Sequence, residues 1–195
     1  MFRLLAPPAP WRKLGGFLLV SLLVLSCATA PRFRDLRADL EARGHYIPGI
    51  PFIPQEESRC GPAALAMVLN YWGAKVSGEE VAQETFLPAL RGVLISDLRA
   101  FAERRGFRAT SYSSSPDDLR FRISKNEPLI LLLDLGRGAY QKPHYILTVG
   151  FHEGKGVLIA HSGRNENQVI PFDKLISQWA RMNYLALLVV PQDHP

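Results

Sequence analysis

A cysteine at the start of an apolar helix is the residue of this sequence best placed to do chemistry. Cys60 follows a polar turn and precedes a segment whose apolar residues recur at helical spacing as far as Gly73. Pro62 is compatible with a first helical turn, where a missing N–H costs no hydrogen bond. The N–H groups and the positive dipole end of a helix N-terminus favour a thiolate. Cys60 is therefore a candidate nucleophile; a small buried cysteine packed at a helix start is the alternative.

A thiol nucleophile needs an imidazole that accepts its proton and later returns the proton to the leaving group. His144 begins a predicted strand directly after a turn-rich loop, so we expect it to lie beside a cleft. His45, His152 and His194 belong to an N-terminal segment, a hairpin end and the C-terminal tail. We expect those three rings to face solvent, which leaves His144 as the candidate base.

The oxyanion of an acyl-transfer intermediate also needs hydrogen-bond donors. The backbone N–H of Cys60 is one candidate by position, and the side-chain amide of Gln55, on the turn just upstream, is another. A surface polar residue without a role is the alternative interpretation of Gln55.

The elements that must position these residues form a helical half followed by a strand-rich half. Helical patterns begin near residues 60, 77, 96 and 115, with one short strand pattern at 107–112. Apolar runs then predict strands at 129–135, 144–151, 157–160, 169–170 and 184–190, with a helix at 172–179. This order predicts an α+β fold in which an N-terminal helical half, with the nucleophile helix, packs on a C-terminal antiparallel β-sheet.

The beginning of the chain has the pattern of an export signal. A basic region precedes an apolar run at residues 14–25, which is short for a membrane span; its positive charges are Arg3, Arg12 and Lys13. The run ends in Val24-Leu25-Ser26-Cys27-Ala28, which resembles the lipobox of bacterial lipoproteins, where the cysteine becomes the lipidated first residue. Cleavage of an ordinary signal peptide near Ala30 is the alternative.

These features predict the domain organisation and the location. We expect a lipoprotein signal peptide at 1–26, a lipidated N-terminus and tether at 27–50, and one domain at 51–191. A lipid on Cys27 anchors a protein to a membrane without spanning it. The expected location is the cell envelope of a bacterium, at the outer membrane and facing the periplasm. Lipidation of Cys27 leaves Cys60 without a disulfide partner in an oxidising compartment, which favours a functional thiol.

Composition restricts the partners and cofactors. The chain has 195 residues and a formal net charge of +5, and three of the positive charges lie in the leader, which leaves +2. No cluster of basic and aromatic residues indicates a nucleic-acid surface, so we expect no nucleic-acid partner. His144, His152 and His161 are widely spaced on separate predicted strands, without a closely spaced ligand pair. We therefore expect no metal and no other cofactor.

The motifs together resemble the double-glycine leader peptidases, the bacteriocin-processing branch of the papain-like cysteine peptidases. The similar residues are Gln55, Cys60-Gly61-Pro62-Ala63-Ala64-Leu65, Tyr71-Trp72-Gly73 and His144-Tyr145. The resemblance implies a papain-like fold with Cys60 as nucleophile, His144 as base and Gln55 in the oxyanion hole. The spacing between Gln55 and Cys60 is one residue shorter here than in the transporter-linked members.

The third catalytic residue of that family has no counterpart of the same type in this chain. Family members carry an aspartate at the end of the strand after the histidine strand, and this aspartate orients the imidazole. Here the strand ends in Ala160-His161-Ser162-Gly163. His161 or Ser162 therefore takes the position of the orienting residue, and Asp134, at the end of a neighbouring strand, is a further alternative.

The sequence thus predicts a membrane-anchored cysteine peptidase that cleaves peptide bonds through a Cys60 thioester, with His144 as general base. Its expected partners are a peptide or protein substrate and a membrane reached through the lipid on Cys27. Two alternatives stay open because the aspartate is missing. One is a non-catalytic lipoprotein that keeps the fold to bind peptides; the other is a transpeptidase or amidase that uses the same Cys-His pair.

Overall fold

An antiparallel sheet forms the centre of the protein in the computed structural model, which describes residues 31–54 and 56–194. The strands are β1 (Gly44–Tyr46), β2 (Phe107–Ser113), β3 (Leu129–Asp134), β4 (Pro143–His152), β5 (Val157–Ser162), β6 (Asn165–Pro171) and β7 (Leu185–Pro191). Their order is β2-β7-β3-β4-β5-β6, and β1 adds to β4. Every pairing among these strands is antiparallel, as the order of the elements in the sequence predicts.

Helices precede most of the sheet in the chain. They are α1 (Phe33–Leu36), α2 (Leu40–Arg43), α3 (Cys60–Tyr71), α4 (Gly78–Thr85), α5 (Ile95–Arg104), α6 (Pro116–Ser124) and α7 (Phe172–Ala180). Ser77 and Ser115 cap α4 and α6, since each hydroxyl accepts the backbone N–H three residues later. The α+β class predicted from the sequence is confirmed.

The helix that begins at Cys60 lies inside the protein. Every residue of α3 from Cys60 to Leu69 is buried, and the helix contacts α4, α5 and β4. A helix that is apolar on all sides has to be enclosed by other elements, which explains the uninterrupted Ala, Leu, Met and Val run. α7 packs on the other part of the sheet, against β3, β5 and β6.

The N-terminal segment packs on the domain, although the sequence indicates a tether at this point. Leu36 and Leu40 are buried in the core, and β1 pairs with the far end of β4, where His45 lies opposite Phe151. The apolar side chains of this short segment are therefore part of the core. Within the described residues, none of the helices has the length and apolar character to cross a membrane.

Candidate active site

Cys60 is the first residue of α3 and lies against the strand that carries His144. Its side chain is 6% exposed, and the backbone N–H of Tyr145 donates to Sγ at 3.4 Å. The Tyr145 nitrogen is two bonds from the Cα of His144, so the sulfur lies within about 6 Å of that Cα. The helix N-terminus and this N–H donor both stabilise negative charge on the sulfur.

Tyr145 forms the wall of the site next to the Cys60 sulfur. Its side chain is 5% exposed, and its hydroxyl donates to the carbonyl of Val93 at 3.3 Å. Burial, and then the negative charges of Cys60 and Asp97, raise the pKa of Tyr145 well above its ordinary value. Tyr145 is therefore a neutral hydrogen-bond donor that ties β4 to the loop before α5.

His144 is held through its second ring nitrogen. The ring is half-buried, and Nε2 lies 3.0 Å from Oγ of Ser162, the last residue of β5. When Nε2 carries the hydrogen and donates to this hydroxyl, Nδ1 is the nitrogen that can take up a proton. The contact between β4 and β5 thus fixes the orientation of the ring.

His161, the alternative orienting residue, is directed elsewhere. Its ring is fully buried and stands edge-on to Phe52, and Nδ1 accepts the backbone N–H of Asn167 at 3.2 Å. Burial lowers the pKa of His161. The register between β5 and β6 shifts between Ala160 and Ser162, and neighbouring side chains of a strand point to opposite faces. Of the two alternatives, Ser162 is the one in contact with His144.

Asp134 organises the loop that leads into His144. Its carboxylate accepts the backbone N–H groups of Gly136 and Lys142, both at 2.8 Å, and lies 3.2 Å from Nε of Arg181. These two backbone hydrogen bonds lower the pKa of Asp134, and the charge of Arg181 adds to the effect. Arg181 also donates to the carbonyls of Asp134 and Gly136. Asp134 is therefore tied into the β3–β4 loop by contacts that hold the approach to His144.

Two cavities flank Cys60 and His144. The apolar cavity, of about 460 Å³, borders Cys60 and Tyr145 and is lined further by Val93, Leu94, Ile95, Leu132, Met182 and Leu185. The basic cavity, of about 510 Å³, borders His144 and Ser162 and is lined further by Arg137, Gln168, Lys174, Ser177, Gln178 and Arg181. The thiol is therefore bordered by a mainly apolar cavity and the imidazole by a basic, polar one.

Comparison with known proteins identifies the family. The model of the Peptidase_C39 like family matches residues 47–187, which contain both Cys60 and His144. This chain belongs to that family. It is accordingly a cysteine peptidase, a hydrolase, and the resemblance to double-glycine leader peptidases is confirmed. No curated protein matches the chain significantly.

Solved structures of the C39 type share the fold. The peptidase domain of ComA from Streptococcus, a bi-functional ABC transporter involved in quorum sensing, is 20% identical, with a TM-score of 0.59 over 74% of this chain and 100% of that one. A double-glycine motif protease of an AMS/PCAT transporter, crystallised with the leader peptide, is 22% identical, with 0.60 over 76% and 95%. A putative C39-like peptidase from Bacillus anthracis is 15% identical, with 0.63 over 78% and 100%.

Two candidate residues of this C39-like peptidase lie outside the described residues. They are Gln55, the expected oxyanion donor, and Cys27, the expected lipidation site. Their roles remain predictions from the sequence.

The other histidines make structural contacts, and the expectation that His152 faces solvent is wrong. His152 is fully buried, and its Nε2 lies 2.9 Å from Asp39, because β1 and the N-terminal segment cover this end of β4. His45 contacts Asn126, and His194 contacts Glu127. Among the described residues, no group of three or more histidines, cysteines or acids has the arrangement of a metal site.

The sequence did not identify the donor to the Cys60 sulfur. The group is the backbone N–H of Tyr145, and side-chain type gives no signal for a backbone donor. The only indication of this donor is the position of His144 and Tyr145 at the start of a strand that packs on the Cys60 helix.

Proposed function

We propose that Cys60 is the nucleophile and His144 the general base of a peptide-bond hydrolysis that passes through a Cys60 thioester. The observation that supports this most directly is the hydrogen bond from Tyr145 N–H to the Cys60 sulfur, next to a His144 ring held by Ser162. This arrangement joins a stabilised sulfur to an oriented imidazole, which is the requirement for thiol activation.

In the proposed reaction, His144 takes the proton of the Cys60 thiol, and the thiolate attacks the carbonyl carbon of the substrate. The carbonyl oxygen becomes an oxyanion near the N-terminus of α3, where the backbone N–H of Cys60 and the amide of Gln55 are the proposed donors. The C–N bond breaks as the imidazolium gives its proton to the leaving amine. A water molecule, deprotonated by His144, then hydrolyses the thioester and restores the thiol.

The apolar cavity is the proposed subsite for the acyl half of the substrate. It borders Cys60 itself, to which that half stays bonded in the thioester, and its walls are mainly aliphatic side chains. Burial of an apolar substrate side chain there would hold the scissile carbonyl beside the sulfur.

The rate at which Cys60 is alkylated tests whether Cys60 and His144 act together. In a Cys27→Ser chain, Cys60 is the remaining thiol, and we expect iodoacetamide to modify it fastest near neutral pH. His144→Ala removes the base, so we expect alkylation to slow at least about tenfold and peptide cleavage to fall about a hundredfold or more. His194→Ala is the control. The ring of His194 lies against Trp72 and Glu127, and its removal should leave both rates unchanged. Equal alkylation of the His144→Ala and control variants would contradict the proposal.

Product analysis separates hydrolysis from transfer. With an added amine nucleophile, mass spectrometry that finds only the acid product supports a peptidase that uses water. An amide of the added amine would instead indicate a transpeptidase.

We also propose that Cys27 carries a lipid that anchors the peptidase at the outer membrane, facing the periplasm. The support is the sequence Val24-Leu25-Ser26-Cys27-Ala28 after a basic region and an apolar run. Growth with a clickable fatty-acid analogue should label the wild-type protein and a Cys60→Ser variant, and membrane fractionation should recover both with the outer membrane. Cys27→Ser should abolish the label; persistent labelling of that variant would contradict the proposal.

A further inference from the structure

The basic cavity beside His144 has a charge pattern that the reaction itself does not require. Three of its lining residues are cations, namely Arg137, Lys174 and Arg181, and none of its lining residues is acidic. The remaining polar groups around it are neutral, from Ser162, Gln168, Ser177 and Gln178.

One of these three charges is already balanced inside the protein. Arg181 is paired with Asp134 and holds the β3–β4 loop. Arg137 and Lys174 are exposed and have no ion pair within the described residues. The acid nearest in sequence, Asp173, accepts the backbone N–H of Lys174 at the start of α7 and does not line the cavity. The cavity therefore presents two uncompensated positive charges.

The chemistry of the proposed reaction assigns the cavity to one half of the substrate. The acyl half stays bonded to Cys60, which borders the apolar cavity, whereas the leaving amine takes its proton from His144, which borders the basic cavity. The residues that follow the cleaved bond thus leave along the wall that carries Arg137 and Lys174.

We propose that the basic cavity is the leaving-group subsite and selects substrates with an acidic side chain in the first two residues after the cleaved bond. This inference rests on the proposed function, because it uses the roles of Cys60 and His144. Arg137 and Lys174 are its specificity-determining residues. Since both are exposed, their attraction for a carboxylate is modest and is screened by salt.

Matched peptides test the preference. The three peptides share their acyl half and carry Glu-Glu, Gln-Gln or Lys-Lys after the cleaved bond. For the full chain at low salt, we expect kcat/KM to fall in that order, by about three- to tenfold between Glu-Glu and Gln-Gln. At 0.5 M salt the difference should shrink, because the Debye length falls to about 4 Å.

Charge-reversal variants assign the effect to the cavity. Arg137→Glu combined with Lys174→Glu should remove the preference for Glu-Glu over Gln-Gln and favour Lys-Lys. Lys75→Glu combined with Lys125→Glu changes the net charge equally at exposed residues that line neither cavity, and it should keep the preference.

Binding to a chain without the nucleophile distinguishes failure of this inference from failure of the proposed function. In Cys60→Ala, a free peptide that begins with Glu-Glu should bind more tightly than one that begins with Gln-Gln, and the Arg137 and Lys174 reversals should abolish the difference. Cleavage without an acidic preference would overturn the subsite and leave the peptidase proposal intact. Selective binding without any cleavage would overturn the peptidase proposal alone. If the protein shows no cleavage and no selective binding, both proposals are overturned.

Discussion

A neutral hydroxyl, and not a carboxylate, contacts the second ring nitrogen of His144. Ser162 Oγ lies 3.0 Å from Nε2, at the strand end where the family resemblance implies an aspartate. A hydroxyl can hold the orientation of an imidazole through one hydrogen bond, but it adds no charge that would stabilise an imidazolium. The residue at position 162 should therefore control how readily His144 becomes protonated.

Substitution of Ser162 tests this dependence. Ser162→Ala removes one neutral hydrogen bond, for which we expect kcat/KM to fall by about three- to tenfold. Ser162→Asp places a negative charge against the ring, stabilises the imidazolium–thiolate pair and should raise the rate of iodoacetamide alkylation relative to Ser162→Ala. Ser113→Ala is the control, since that exposed hydroxyl also makes a single hydrogen bond, to the carbonyl of Asn183. Identical kinetics for the wild type and Ser162→Ala would show that the hydroxyl does not orient the base.

At the scale of elements, the approach of α3 to β4 depends on the absence of a side chain at Gly61. A Cβ at this position would lie 2.5 Å from Cγ2 of Val93 and 3.0 Å from Cδ2 of Tyr145. Both neighbours belong to the wall of the apolar cavity, and Tyr145 supplies the N–H that contacts the Cys60 sulfur. The glycine after Cys60 therefore permits the contact between α3 and β4.

Gly61→Ala should separate these two elements. We expect the free energy of unfolding to fall by about 1 to 3 kcal/mol because the added methyl overpacks the interface, and alkylation of Cys60 to slow because the N–H contact lengthens. Gly78→Ala is the control, since its Cβ would meet Ala63 only at an ordinary contact distance of 3.4 Å. Urea unfolding and alkylation rates measure the two effects. A Gly61→Ala protein with wild-type stability and reactivity would exclude the close-approach explanation.

The order of the elements follows from local patterns, and therefore it was predictable. Apolar periodicity and Ser-led helix starts depend on neighbouring residues, and they locate α3 to α7 and the strands from β2 to β7. The order of the strands in the sheet does not follow from local patterns, because the insertion of β7 between β2 and β3 depends on which distant strands pair. β1 has only three residues, too few for a pattern.

The same distinction applies to the candidate site. Cys60 and His144 were identifiable from residue type and position, since a thiol at a helix start and a histidine at a strand start are local features. The choice between His161 and Ser162 depends on the face to which each side chain points. The pairing of β5 with β6 shifts register between Ala160 and Ser162, and such an irregularity is not visible in the local sequence.

At the scale of the whole molecule, β4 joins the candidate site to the N-terminal segment. His144 is near one end of this strand, and at the other end His152 contacts Asp39 while β1 pairs alongside. With α1 beginning at Phe33, a lipid on Cys27 would be separated from the folded domain by a chain of at most about 20 Å. The proposed anchor would therefore hold the folded domain close to the membrane surface.

The contact between Asp39 and His152 should make the attachment of the N-terminal segment depend on pH. The hydrogen bond with His152, followed by the charges of His152, Arg43 and Lys155, lowers the pKa of Asp39 below its ordinary value of 3.8. A carboxyl whose pKa is lower in the folded state stabilises that state above its unfolded pKa, and the contribution is lost as the pH falls through the folded pKa. Asp39→Asn should therefore be less stable than the wild type at pH 6, and the difference should shrink as the pH falls below 3.8.

Urea unfolding of the full chain between pH 6 and pH 3 measures this difference. Asp35→Asn, an exposed acid of the same segment, is the control and should show a smaller effect at pH 6, because it lacks a buried partner such as His152. If the gap between wild type and Asp39→Asn stays constant over this range, the carboxylate charge does not hold the segment. A gap that closes in acid would establish that the N-terminal segment is fastened to β4 through an ionised Asp39, at the opposite end of the strand that carries His144.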